Sequence, residues 1–138
     1  MDEQAQIGRY LKNLLDELAI NLGIELAVAG FAEIKPSHVN IFQHIGPDGS
    51  RITELALHAR ITKQSISALV YQLETWGYLK RSADSRDKRG VLFFLTEKGE
   101  LLQQTRVQIN ADFERRLESK LGINNYQRFK ESLQKLNK

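Results

Sequence analysis

Apolar residues recur at spacings of three and four from about Gln4 to Ala29, through Ile7, Tyr10, Leu11, Leu14, Leu15, Leu18 and Leu22, the period of a helix buried along one side. Leu14 and Leu15 are adjacent, and Ile24, Leu26, Ala27 and Val28 widen the stripe, so this helix has two apolar neighbours to satisfy. Gly30 and Pro36 bracket a break. Proline suits the first turn of a helix, and a second, short helix is expected from Pro36 to His44, with Val39, Ile41, Phe42 and Ile45 as its apolar positions. Gly46-Pro-Asp-Gly-Ser is turn chemistry that ends it in a surface loop. Ile52, Leu55, Ala56 and Ala59 then mark a third helix of about two turns, capped by Ser50 or Thr53. After the short connection Arg60-Ile61, Thr62 is the expected N-cap of a fourth helix whose buried stripe is Ile66, Leu69, Val70, Leu73 and Trp76. Two short helices joined by so tight a turn form a helix-turn-helix candidate, although such turns favour glycine where this chain has Arg60.

Past Gly77, Tyr78-Leu-Lys-Arg and Val91-Leu-Phe-Phe-Leu are short apolar runs around a polar insert, the pattern of a hairpin. A fifth helix starts near Thr96 and carries Leu101, Leu102, Val107, Ile109, Phe113, Leu117 and Leu121. Gly122 with Asn124 and Asn125 breaks it, and a sixth runs from about Asn125 to Leu136 on Tyr126, Phe129, Leu133 and Leu136. These terminal helices are too apolar for a solvated tail and need a partner, the first helix or its copy in another subunit.

Composition narrows the class without choosing the function. One domain is the default for 138 residues, and 41% apolar with 27% charged residues is ordinary for a soluble protein. No run approaches a membrane span, and the acidic, polar N-terminus does not resemble a signal peptide, so a cytoplasmic location is expected. The absence of cysteine excludes thiol redox chemistry and thiolate metal sites within the chain. Charge is more telling. Residues 1–49 carry three basic and seven acidic side chains, residues 50–99 nine and five, and residues 100–138 eight and five. The basic excess therefore begins with the helix-turn-helix candidate, as expected of a segment that meets nucleic acid.

The outer face of the fourth helix offers Lys63, Gln64, Ser65, Ser67, Ala68, Tyr71 and Gln72, hydrogen-bonding groups with no acidic residue before Glu74. Gln64 has the geometry to read an adenine edge, Ser65 and Ser67 to bond a base or phosphate, and Ala68 to pack on a thymine methyl. An ordinary solvated face is the bland alternative, but it usually mixes Glu with Lys. The hairpin tip holds Arg86, Lys88 and Arg89 against Asp84 and Asp87, read either as a salt-bridged loop or as a basic finger in a minor groove. Catalysis has little support: His38, His44 and His58 are scattered, with no nucleophile elbow and no His-Glu-x-x-His, so no enzyme activity, cofactor or metal is expected.

Asp87-Lys88-Arg89, then five residues, then Leu95-Thr96-Glu97-Lys98-Gly99 resembles the Asp-x-Arg-x5-Leu-Thr-x-x-Gly signature of the MarR family of bacterial transcription regulators. The run from Thr62 to Arg81 resembles that family's recognition helix and wing entry, and the element order agrees along nearly the whole chain. The resemblance implies a mainly α (α+β) fold: a winged helix-turn-helix over about residues 36–99, with dimerisation helices over about 4–29 and 100–138, together forming one regulator domain over 1–138. It also implies a homodimer that binds pseudo-palindromic double-stranded DNA, usually as a repressor, and that is often released by a small anionic or phenolic ligand. Arg89 then corresponds to the wing arginine expected in the minor groove and Asp87 to the aspartate that braces it, with Arg86 an additional basic residue. Tyr10, Phe31, His38 and Phe42 lie near the cleft where such a ligand is expected. The competing function is a winged helix that mediates protein assembly without touching specific DNA.

Overall fold

Proline at the first turn and a short apolar stripe do what the pattern requires of them at the second helix, which runs over Pro36–His44 and buries His38, Val39, Ile41 and Phe42. The computed structural model describes residues 6–137. Its elements in order are α1 (Gln6–Val28), α2 (Pro36–His44), α3 (Ile52–Ala59), α4 (Lys63–Thr75), β1 (Leu79–Ala83), β2 (Val91–Leu95), α5 (Glu97–Leu121) and α6 (Ile123–Leu136). Gln4 and Ala5, where the first helix was expected to begin, lie outside the described residues.

Two compact units divide the chain. Gly23–Thr105 forms one, and the first helix through Leu22 with the chain from Arg106 onward forms the other. In the Gly23–Thr105 unit, α2, α3, α4 and β1 enclose a core whose floor is Ile41, Phe42, Leu55, Ile66, Val70, Leu73 and Tyr78, each no more than 1% exposed. Phe31 and Phe42 stand 6.1 and 6.3 Å from the ring of Tyr78, the second edge-on, a geometry aromatic quadrupoles favour. The Tyr78 hydroxyl donates to Glu33. Burial and this bond push the phenol's pKa up, while the same bond holds the Glu33 carboxyl below its ordinary range.

The strands pair antiparallel, Leu79 opposite Leu95 through Ala83 opposite Val91. Ser50 joins this ladder by exchanging two backbone hydrogen bonds with Phe93, 3.0 and 2.9 Å. Sequence reasoning offered Ser50 or Thr53 as the cap of α3. Neither is: the N-cap residue is Arg51, without a side-chain cap bond, because Ser50 is spent on β2 and its hydroxyl accepts the Gly46 N–H at 2.9 Å. Gly77 ends α4 at φ 85°, which lets the Tyr78 N–H reach back to the Leu73 carbonyl at 2.9 Å and satisfy an orphan acceptor. Gly99 is needed for space, since a Cβ there would lie 2.2 Å from the Tyr78 carbonyl oxygen.

The other unit is helical. Leu22, Ile109, Phe113 and Tyr126 are buried, and Arg116 donates to the Asn21 side chain at 2.7 Å. A groove of about 480 Å³ remains between these helices, lined by Leu11, Leu14, Leu15, Leu18, Phe113, Leu117, Phe129 and Leu133. Ile7, Leu11, Leu15 and Ile20 are each at least half exposed. The sixth helix begins at Ile123, two residues earlier than expected, because Gly122 at φ 80° takes up the whole change of direction.

Candidate nucleic-acid interface

The geometry of the site begins with the turn between α3 and α4. Arg60 adopts the left-handed conformation, φ 57° and ψ 41°, where such turns favour glycine. The Ile61 N–H then bonds back to the Ala56 carbonyl at 3.2 Å. Thr62 is the expected N-cap of α4: its Oγ1 accepts the Ser65 N–H at 3.2 Å and donates to Ser65 Oγ at 2.9 Å. Ile66, Val70 and Leu73 anchor the inner side of α4, which leaves Lys63, Gln64, Ser65 and Ala68 exposed and Ser67 half-buried.

Across from this face lies the wing. Its tip is held from below by Asp84, 2% exposed, which accepts from Arg51 Nε and Nη2 at 3.0 and 2.6 Å and from the Arg86 backbone N–H at 2.9 Å. These hydrogen bonds, the backbone one foremost, hold the Asp84 carboxyl below its ordinary value. Arg51 Nη2 also approaches Asp87 Oδ2 at 3.5 Å. Asp87 accepts the backbone N–H of Arg89 at 3.0 Å, so its link to Arg89 runs through the main chain and leaves the guanidinium exposed. Arg81 is fixed differently. Glu74 takes it in a two-pronged pair, both contacts 2.7 Å, and its guanidinium lies 5.5 Å from the Tyr71 ring and 5.3 Å from that of Phe93.

Between α4 and the wing runs an open groove of about 350 Å³ lined by Arg51, Ile52, Thr53, Lys63, Ser67, Tyr71, Arg81, Arg89, Gly90, Val91 and Phe93. It brings together four of the residues singled out in the sequence, Lys63, Ser67, Tyr71 and Arg89. Thr62, Gln64, Ser65 and Ala68 flank it on α4, and Arg86, Asp87 and Lys88 form the tip beyond it. Gln72 is exposed on the same helix, and its Oε1 also makes a bond to α2. His38 Nδ1 accepts the Lys35 N–H at 2.9 Å, so Nε2 carries the proton and donates to Gln72 Oε1 at 2.7 Å. With His38 only 2% exposed and edge-on to Trp76, this bond pins the last turn of α4 to α2. Phe31 and Phe42 are core side chains of the same unit, and Tyr10 is exposed on α1 with its hydroxyl donating to Gln6 at 2.8 Å.

Sequence reasoning missed Arg51, Arg81 and Asp84 as members of the site. Arg81 sits seven residues after Glu74, a spacing across a turn that no helical or strand period flags. The link from Arg51 to Asp84 spans 33 residues and exists only once Ser50 has joined the sheet.

A tight-turned helix pair, a paired wing and a cationic groove between them define a winged helix-turn-helix DNA-binding transcription regulator. The sequence model of the MarR family matches residues 32–90, the stretch from just before α2 to the wing tip. Among solved structures it is similar to Streptococcus pneumoniae FabT in complex with DNA, at 18% identity and a TM-score of 0.85, over 98% of this chain and 95% of that one. The transcriptional repressor CouR bound to a 23-mer DNA duplex matches at 22% identity and a TM-score of 0.81, over 100% and 97%. Transcriptional regulator Tm0710 from Thermotoga maritima is 26% identical with a TM-score of 0.63, over 96% and 92%. No curated protein matches the chain. Among the described residues no helix is long and apolar enough to cross a membrane.

Proposed function

We propose that the protein is a homodimeric repressor that binds a pseudo-palindromic operator and leaves it when a small-molecule ligand binds. The observation that carries the DNA-contacting part is the groove itself: Lys63, Ser67 and Tyr71 of α4 line it together with the exposed Arg89 of a wing whose root is clamped by Asp84, and Gln64, Ser65 and Ala68 are exposed beside it on α4. In this reading Gln64, Ser65 and Ala68 meet base edges in a major groove. Lys63 and Ser67 hold flanking phosphates, and Arg89 enters the adjacent minor groove, where narrow, strongly negative sequences attract arginine. The similar structures of FabT in complex with DNA and of CouR bound to a 23-mer duplex support DNA as the partner.

Dimerisation is supported by the apolar surface of the helical unit. Leu11 and Leu15 remain exposed on a leucine- and phenylalanine-lined groove, apolar surface of the kind that marks interaction sites when it is contiguous. Two copies would read half-sites about one helical turn, ~34 Å, apart. α1 and α5 each contribute residues to both units, so a ligand that favours one separation of the subunits would favour or oppose DNA through that difference in affinity.

Gel shift with the DNA upstream of the protein's own gene, on protein whose mass in solution has been measured, tests this directly. A dimer that shifts the duplex with strong salt dependence is the expected result. A monomer, or binding indifferent to salt, would count for the alternative of a protein-assembly module. A broad effector screen that leaves operator affinity unchanged would remove the ligand from the proposal.

A further inference from the structure

Three histidines occur in the chain, and they differ in how their nitrogens are used. Both nitrogens of His38 are committed, one to a backbone N–H and one to Gln72. The side chains of His44 and His58 make no hydrogen bond or ion pair among the described residues, yet their rings stand beside one another on two helices, centroids 6.1 Å apart and planes tilted by 39°. His44 is the last residue of α2 and His58 lies in the last turn of α3. Two helix C-termini therefore converge on the pair, and each presents carbonyl oxygens and the negative end of its dipole, a setting that favours a cation.

Simple geometry tests whether one metal ion fits. With a metal–nitrogen bond of about 2.0–2.1 Å, the ion sits roughly 3.2 Å from the centre of each ligating imidazole. Two such rings are then about 5.2 Å apart at a tetrahedral angle and about 6.4 Å apart at a straight one. The observed spacing lies between these limits. His58 is exposed and His44 half-buried, so both side chains have room to rotate a nitrogen toward a shared point.

We propose that His44 and His58 form a two-histidine binding site for a first-row divalent transition ion such as Zn²⁺. Neutral imidazole is a preferred ligand for zinc, copper and nickel, and hard oxygen-seeking ions such as Mg²⁺ and Ca²⁺ gain little from it. Among the described residues no cluster of three or more His, Cys, Asp or Glu surrounds the point, so water completes the coordination and the site is open and exchangeable. An ion held there ties the end of α2 to the end of α3, two residues before the Arg60 turn that aims α4.

Untagged protein titrated with ZnCl₂ by calorimetry, and with Co²⁺ by visible absorption, tests the assignment. One equivalent per chain is expected, with ligand-field bands showing nitrogen ligation, and no binding of Mg²⁺. His44→Asn and His58→Asn should each weaken zinc binding by at least about tenfold, and circular dichroism checks that both variants remain folded. Paramagnetic broadening by Ni²⁺ in the intact protein, read on the imidazole resonances, gives a second route that needs no variant: His44 and His58 should broaden while His38 does not. Absence of zinc binding, equal binding in the variants, or broadening at His38 instead would overturn the proposal.

Discussion

The salt dependence of DNA binding can be worked from which cations the fold has already neutralised. On the groove face and wing tip, Arg51 and Arg86 are paired with Asp84 and Arg81 with Glu74, whereas Lys63, Lys88 and Arg89 have no ion pair among the described residues. A cation already matched to a carboxylate releases few DNA counterions when it nears a phosphate, so three cations per protomer, six in the proposed dimer, should dominate. At a slope of about −0.9 per phosphate contact, log affinity should fall with log salt at about −5, a loss of about three orders of magnitude between 50 and 200 mM salt. Arg89→Ala removes two contacts per dimer, and the slope should relax to about −3.6, with ~1–3 kcal/mol lost per contact at fixed salt. Fluorescence anisotropy with a labelled operator duplex over a salt series measures both. Arg81→Ala is the control that makes the reasoning vulnerable, because its charge is counted as spent. If it changes the slope as much as Arg89→Ala, or if Arg89→Ala leaves the slope unmoved, the division into free and paired cations is wrong.

Other expectations concern base reading, packing and pH. Gln64→Ala should flatten preference among base-substituted duplexes by about 1–3 kcal/mol at one position per half-site; equal loss on every duplex would make Gln64 a backbone contact. Gly99→Ala places a methyl against the Tyr78 carbonyl oxygen, and chemical denaturation should show a loss of ~1–3 kcal/mol or more, since main chain has to move. Asp84 has a folded pKa depressed below its ordinary 3.8, so its contribution is present above that value and is lost as pH falls through the lower folded one. Wild type should therefore be more stable than Asp84→Asn near neutrality, with the gap closing only below about pH 3.8; a gap that persists in acid would mean the charge is not what matters there.

Much of this architecture could be read from spacing alone, for reasons that particular residues make plain. Pro36 fixed a boundary because its ring suits one place in a helix, and Thr62 fixed another because a hydroxyl before a polar-apolar run has one efficient use. The stripe Ile66, Val70 and Leu73 told which side of α4 faces inward, and so which residues were left on the outer face. What could not be read were bonds between elements distant in sequence. Ser50 looks like a cap until β2 claims its backbone, and Arg51 looks like a surface arginine until Asp84 is brought beneath it. Gln72 belongs by periodicity with the exposed residues of α4 and is exposed, but only the packing of α2 shows that its Oε1 also meets His38. Arg60 is a milder case: a turn that favours glycine was recognised despite its arginine, and the fold accepts the left-handed backbone at a local cost of about 1 kcal/mol.

The hydrogen bond from His38 to Gln72 also bears on how such a regulator could be retargeted. It fastens the far end of α4 to the body of the protein, while the near end is held by the Thr62 cap and the buried Ile66. Between those two fixings, the side chains of Gln64 and Ala68 make no hydrogen bond or ion pair among the described residues. Under the proposed reading, letters of the operator could thus be rewritten at these positions as one exchanges type in a locked frame, leaving the angle at which the helix is presented unchanged.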